Sequence, residues 1–269
     1  MLGAIIGDIA GSRFERRNIK TKEFELLHPG CRFTDDTVMT LAVGSALTYC
    51  MQLGTASREK ALEYLPGAAI DAMRSLGNRY PNAGYGGSFY RWLQASDPKP
   101  YNSYGNGAAM RVSGCGFAAV SVEDAQDLAD KVTAVTHNHP EGLRGARATA
   151  SAVFLARKGY TKEEIRSYVR EHFYAIDFTL DEIRPTYSFN VSCQGSVPQA
   201  LEAFFESTGY EDAIRNAISI GGDSDTIAAI AGGIAEAYYG IPADIAQKGK
   251  TYLTPDLMRI LEAFREMFQ

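Results

Sequence analysis

Two short acidic segments, Thr34-Asp35-Asp36-Thr37 and Gly222-Asp223-Ser224-Asp225-Thr226, lie far apart in the chain and have nearly the same form. Each packs two carboxylates and one or two hydroxyls into a few residues. Each then runs directly into an apolar helical stretch, residues 38–47 after the first and residues 227–239 after the second. A buried carboxylate without a partner is costly, and is tolerated where it is paired or ligates a metal. A fold that places both segments beside core must therefore bring positive charge to them. The alternative is that each is only a helix N-cap, a position that Asp and Thr favour.

The rest of the pattern is also helical. Residues 36–53 carry apolar side chains at Val38, Leu41, Ala42, Leu47 and Met51, with Thr34 or Asp35 as the cap and Gly54 as the stop. Ser121 and Asp124 form a capping-box-like start for a helix to about Thr136, and Thr161 with Glu164 forms another before Ile165, Tyr168 and Val169. Pro140 suits the first turn of a helix that ends near Gly159. Residues 199–206, 211–218 and 225–239 continue the pattern, the last closing at Gly240 and Pro242, and Thr254-Pro255 opens a C-terminal helix. Alternation of the strand kind is scarce, with residues 188–192 as the best candidate. Residues 77–106, rich in Gly, Pro, Asn and Tyr, read as a long irregular segment, and such loops tend to carry function. The expected class is all-α, with the Ala/Gly-rich stretch 227–237 at the centre of the bundle. Because the acidic segments flank the irregular one, a single domain over residues 1–269 fits better than two.

Composition excludes several classes. A net charge of −5 with no Lys/Arg stripe gives no footprint for nucleic acid. No apolar stretch approaches the ~20 residues of a membrane span, and Asp8 interrupts the first apolar run, against a signal peptide. The four cysteines, Cys31, Cys50, Cys115 and Cys193, are too scattered for a zinc site or a disulfide framework and read as reduced thiols, so the expected location is cytoplasmic.

The oxygen-only composition of the acidic segments suits Mg²⁺, Mn²⁺ or Ca²⁺. Adjacent Asp35 and Asp36 diverge by ~100° at a helix start, so they can serve two ions, or one ion and a water. Four carboxylates with the hydroxyls of Thr34 and Thr226 suffice for a pair of ions ~3.5–4 Å apart. Gly105 and Gly107 let backbone N–H groups turn toward an anion, and Tyr104 offers a ring that can stack on a base. An ordinary Gly/Asn turn beside an exposed Tyr remains the alternative. The segment Gly7-Asp8-Ile-Ala-Gly11-Ser12-Arg13-Phe14-Glu15 adds acids, with glycines for tight turns or close helix contacts. Arg111 is expected to pair with an acidic neighbour. Tyr85, Phe89, Tyr90 and Trp92 are expected in core or pocket wall.

Five motifs, Gly3-Ala-Ile-Ile-Gly-Asp8-Ile-Ala-Gly11, Thr34-Asp-Asp-Thr37, Gly105-Asn-Gly-Ala-Ala-Met-Arg111, Thr136-His-Asn-His-Pro140 and Gly221-Gly-Asp-Ser-Asp-Thr226, occur in this order. Together they resemble the ADP-ribosylglycohydrolase family, which includes the dinitrogenase-reductase-activating glycohydrolases, over about residues 3–242. The resemblance implies an orthogonal helical bundle with a binuclear Mg²⁺ or Mn²⁺ centre. It also implies hydrolysis of the bond between C1″ of ADP-ribose and an acceptor.

Carried over by motif, the resemblance implies metal ligands at Thr34, Asp35, Asp36, Asp223, Asp225 and Thr226, and a catalytic or gating glutamate at Glu15. It implies that Ser103, Tyr104, Gly105, Asn106 and Gly107 wrap the diphosphate and face the adenosine end, and that His137 contacts the ligand. The mechanism expected is metal-assisted hydrolysis through an oxocarbenium-like transition state, with Asp36 or Glu15 handling the proton. The partner is an ADP-ribose-containing small molecule or an ADP-ribosylated protein. By analogy the acceptor is arginine, with ADP-ribosyl-serine and O-acetyl-ADP-ribose as alternatives. A non-catalytic ADP-ribose binder and a diphosphate-cleaving phosphohydrolase are the competing readings.

Overall fold

The computed structural model describes residues 1–269. It contains α1 (Leu2–Gly11), α2 (Asp35–Gln52), α3 (Arg58–Leu62), α4 (Leu65–Arg79) and α5 (Gly87–Gln94). After a single 3-10 turn at Asn106–Ala108 come α6 (Ser113–Ala118), α7 (Val122–Thr133), α8 (Pro140–Arg157), α9 (Lys162–His172) and α10 (Leu180–Ile183). The chain ends with α11 (Cys193–Phe205), α12 (Tyr210–Ser219), α13 (Ser224–Tyr239), α14 (Ala243–Lys250) and α15 (Pro255–Phe268). The all-α expectation holds. One continuous core of 77 buried residues runs through the bundle. No helix is long and apolar enough to cross a membrane. All four cysteines are free and buried.

α13 is the central helix, in contact with α1, α8, α11 and α12. Its first three turns are buried all round, as the Ala/Gly composition requires. α1 lies against it through Gly3, Gly7 and Gly11, which repeat every four residues and so share one face. A Cβ added at Gly7 would sit 2.8 Å from the Ala229 nitrogen, and one at Gly11 would sit 2.6 Å from the Asp225 nitrogen. Of the two roles open to these glycines, tight turns and close helix contacts, the structure uses the second.

Several boundaries differ from expectation. The segment 77–106 is not wholly irregular: α4 continues to Arg79, and α5 lies inside it. The cause is Phe89, Trp92 and Leu93, whose i, i+3, i+4 spacing buries one helical face. Phe89 and Trp92 stack with ring centroids 5.4 Å apart, while Tyr90 stays exposed. The stretch 188–192 is not a strand; it makes one isolated antiparallel bridge, Gly105 to Ser192. Ser121 accepts from the Asp124 N–H, but without the reciprocal bond of a capping box, and α7 ends at Thr133 rather than Thr136. Thr161 and Glu164 do complete the box.

Candidate active site

Three helix ends converge on one point. α1 delivers Asp8, the start of α2 delivers Thr34, Asp35 and Asp36, and the start of α13 delivers Asp223, Asp225 and Thr226. Thr34 caps α2, its hydroxyl accepting the Asp36 N–H at 3.3 Å. Asp8 locks that cap in place. Its Oδ1 accepts the Thr34 hydroxyl at 2.6 Å, and its Oδ2 accepts the N–H groups of Thr34 at 2.9 Å and Thr37 at 3.1 Å, along with the Thr37 hydroxyl. The Asp35 N–H donates to the Ala83 carbonyl at 2.9 Å, which pins the 80–86 loop beside the cluster.

The α13 end is set by a turn that only glycine adopts readily. Gly221 and Gly222 have φ of 72° and 76°. Asn18 clamps Gly222 from both sides, donating to its carbonyl at 2.9 Å and accepting its N–H at 2.8 Å. Lys20 donates to the Ile220 carbonyl at 2.6 Å. Asp223 occupies the cap position of α13 but makes no capping bond. Its Oδ2 instead accepts from the Asn106 amide at 2.7 Å. The Thr226 hydroxyl reaches across to Asp36 Oδ2 at 3.1 Å, joining the two acidic segments.

The cluster is electrostatically incomplete. One carboxylate oxygen from each of Asp8, Asp36 and Asp225 lies within 4.8 Å of the others. Burial, and then the negative charge of the other carboxylates, pushes Asp36 and Asp225 well above the usual carboxylate range. Asp35 is pushed up to about 8 by burial and by Asp8, Asp223 and Glu15, and burial lifts Asp8 to about 6 against its four hydrogen bonds. Asp223 is raised by burial and held back by the Asn106 bond. Asp36 Oδ1 is buried with no hydrogen-bond partner. An orphaned carboxylate oxygen among acids, with only oxygen donors around it, fits a hard cation. Asp8, Asp36 and Asp225 are the acids whose oxygens come close enough to share one ion, and the six expected ligands, Thr34, Asp35, Asp36, Asp223, Asp225 and Thr226, all line the adjoining cavity.

This cluster floors a cavity of about 550 Å³, within the range of small-molecule sites. The wall carries Glu15, Ser103, Gly105, Asn106, Gly107, Arg111 and His137. Tyr104 is the exception among the expected contacts. It does not line the cavity; its ring is 50% exposed and rests on His139, centroids 5.1 Å apart. The Tyr104 carbonyl accepts the Cys193 N–H at 2.9 Å and the Asn106 N–H donates to Val191 at 2.7 Å. This extended pairing turns Ser103 and Gly105 inward and Tyr104 outward.

Arg111 contradicts the expectation of an acidic partner. It is 1% exposed and makes no ion pair, its Nε has no partner, and burial lowers it to about 10. One guanidinium nitrogen donates to the Thr136 hydroxyl at 2.6 Å and faces His137 Nδ1 at 3.4 Å. The Thr136 hydroxyl also lies 2.7 Å from Nδ1; Arg111 can only donate, so both contacts are satisfied together when Nδ1 accepts and the imidazole proton sits on Nε2. Burial and then the Arg111 charge hold His137 well below its ordinary value, so it is neutral. Its Nε2 edge fills the space above Gly107, where a Cβ would lie 3.3 Å away. Asp8 and Arg111 are the site residues that sequence reasoning left without a role. The signal for Asp8 was a lone acid inside the apolar run Gly3-Ala-Ile-Ile-Gly-Asp8-Ile-Ala.

The ADP-ribosylglycohydrolase family model matches residues 1–268. ADP-ribosylhydrolase ARH3 of Homo sapiens is 26% identical over 351 residues, covering 100% of this chain and 92% of that protein. ADP-ribosyl-[dinitrogen reductase] glycohydrolase of Rhodospirillum rubrum is 26% identical over 265 residues, covering 89% and 84%. A solved structure described as an ADP-ribosylglycohydrolase-related protein complex shares the fold, with a TM-score of 0.68 at 24% identity over 100% of this chain and 97% of that one. The chain belongs to the ADP-ribosylglycohydrolase family and is a hydrolase of ADP-ribose glycosidic bonds.

Proposed function

We propose that this hydrolase cleaves the C1″ bond of ADP-ribosyl conjugates at a binuclear Mg²⁺ or Mn²⁺ centre held by Thr34, Asp35, Asp36, Asp223, Asp225 and Thr226. The observation that carries this reading is the orphaned Asp36 Oδ1 within a buried all-oxygen cluster at the floor of the cavity. Bound divalent cations supply Lewis acidity and orient the attacking water. The chain's own part is positioning. Gly105 to Gly107 offer backbone to the diphosphate, and the neutral His137 presents its Nε2–H as a donor beside them. Glu15 stands on the wall as the carboxylate that handles the proton, with Asp36 as the alternative. The oxocarbenium character that develops at C1″ is stabilised by the surrounding carboxylates. Tyr104 drops out as a stacking platform in this conformation.

Oxygen-linked acceptors, of the serine or O-acetyl kind, fit the metal-end wall better than arginine, because Arg32 lines that wall with no carboxylate partner. A guanidinium leaving group would approach the exposed cation of Arg32 there. The arginine-linked conjugate is the second reading, favoured by Glu15, which is only partly engaged by Arg16 at 3.4 Å. The four free thiols accord with a reducing, cytoplasmic location. The test is release of free ADP-ribose from arginine-linked, serine-linked and O-acetyl substrates with Mg²⁺, Mn²⁺ or EDTA. Metal-dependent release from one of them names the acceptor. AMP as the product would mean diphosphate cleavage, and binding without turnover would mean a binder.

A further inference from the structure

Most arginines of this acidic chain close on a carboxylate: Arg58 on Asp124, Arg147 on Asp130, Arg166 on Glu202 and Arg215 on Glu211. Arg13, Arg17 and Arg32 are among the eight of eighteen that do not. None lies within ion-pair distance of an acid; Glu15 is turned toward Arg16 at 3.4 Å and Glu25 toward Lys248 at 3.7 Å. These three arginines line one pocket of about 390 Å³ with Ser12, Phe14 and Gly30. The pocket is built from two segments tied together, since the Arg32 N–H donates to the Ser12 hydroxyl at 3.1 Å and that hydroxyl donates to the Ile9 carbonyl at 2.8 Å. The Arg13 guanidinium is held over the Phe14 ring, 5.2 Å from its centroid, and its Nη1 is buried without a partner. Arg17 and Arg32 are exposed and Arg13 half-buried, so water screens part of the repulsion among these like charges, and an anion joining them relieves the rest. Guanidinium forks match the oxygens of a phosphate group.

We propose that this pocket is an oxoanion site that takes a phosphate group. Arg32 also lines the catalytic cavity, on the wall that carries Glu15, Thr34 and Asp35. The pocket therefore opens beside the acceptor end of the cleft. A phosphoryl group on the acceptor polypeptide, close to the ADP-ribosylated residue, can occupy it while the ADP-ribose is in place. This second half rests on the glycohydrolase reading; the binding of phosphate does not. Free inorganic phosphate is the other source of the same chemistry.

The test titrates inorganic phosphate into the full chain with Mg²⁺ present, by calorimetry, and repeats it on the double variant Arg13→Met/Arg17→Met. Saturable binding that weakens at least tenfold in the variant is expected. Circular dichroism and the unfolding midpoint establish that the variant is folded. No saturable binding, or binding indifferent to the variant because phosphate sits at the metals, overturns the proposal. The second arm compares an ADP-ribosylated peptide with its twin carrying a phosphoserine nearby. A variant KM raised several-fold for the phosphopeptide alone, with kcat and the plain peptide unchanged, supports the acceptor-borne source. Peptides that respond alike, with phosphate binding still lost, support the site and assign it to free phosphate. Phosphate binding as expected with no turnover of any conjugate supports the pocket and counts against the glycohydrolase reading alone.

Discussion

Replacing Gly11 with alanine tests whether the metal centre depends on the contact between α1 and α13. A Cβ at position 11 would lie 2.6 Å from both the Asp225 nitrogen and the Ser224 carbonyl oxygen, where ordinary contact begins at 3.4 Å. Both neighbours are backbone, so no side chain can swing aside. The nearest atom is Asp225 Cα at 2.4 Å, so the start of α13 must retreat by about 1 Å, and Asp223, Asp225 and Thr226 move with it while Asp35 and Asp36 stay on α2. Overpacking of this kind costs about 1–3 kcal/mol of stability. A displacement near 1 Å costs on the order of 10²-fold in rate where the geometry of reacting groups is critical.

The control is Gly232→Ala at the other end of the same interface. There a Cβ would collide with the Gly3 carbonyl oxygen and lie 2.8 Å from Ile214 Cδ1, but two helical turns, about 10 Å, separate it from Asp225. Both variants should lose similar stability in urea. Only Gly11→Ala should also lose Mn²⁺ affinity, measured from the free-ion EPR signal at protein concentrations where each variant is folded. If Gly232→Ala loses Mn²⁺ as severely, the effect is general loosening and the local argument fails. If Gly11→Ala binds Mn²⁺ as the parent does, the placement of α13 is not what sets the site.

Asp8→Asn should weaken metal binding by about 10–100-fold, the usual cost of an outer partner that orients a ligand, whereas Asp36→Asn should lose more than that; calorimetry with Mn²⁺ ranks the two, and the reverse order refutes the assignment. In EDTA the folded chain should lose stability as pH rises from about 4 to 8. Asp35 and Asp8, lifted from 3.8 to about 8 and about 6, keep protons that the unfolded chain releases. Urea midpoints at pH 5 and pH 8 check the sign, and saturating Mg²⁺ should remove the slope. Arg111→Met frees His137 from its fixed tautomer and should lower ADP-ribose affinity while leaving Mn²⁺ binding intact; equal loss of both would mean damage to the fold.

What could be read from the sequence, and what could not, divides by the distance over which each cause acts. The caps at Thr34 and Thr161 and the apolar faces behind them depend on neighbours a few residues away, so the helices beginning there were legible. Tyr104 was not, because the direction of its side chain is set by the pairing of its carbonyl with Cys193. Arg111 was given an acidic partner by general expectation, and only the packed interior shows that it has none. Asp8 stood out as an acid in an apolar run, yet its four bonds to Thr34 and Thr37 exist only once α1 lies across the start of α2.

The acidic segments are the instructive case, because helix capping and metal ligation ask for the same residues at the same place. Sequence alone left both readings open for each segment. The two segments use their oxygens differently in the structure. Thr34 does cap α2, which satisfies the capping reading at the first segment. At the second, Asp223 holds the cap position and caps nothing, its carboxylate drawn toward Asn106 on the cavity wall. A segment that existed only to cap α13 would not turn its cap side chain away from the helix. Nor would a cap at the first segment explain Asp36 Oδ1, which is buried, unpaired and surrounded by acids. Leaving such an oxygen unsatisfied costs about as much as a cap returns; the cluster is relieved either by protons on its raised carboxyls or by a positive charge between the two segments, and the proposed metal centre supplies the second.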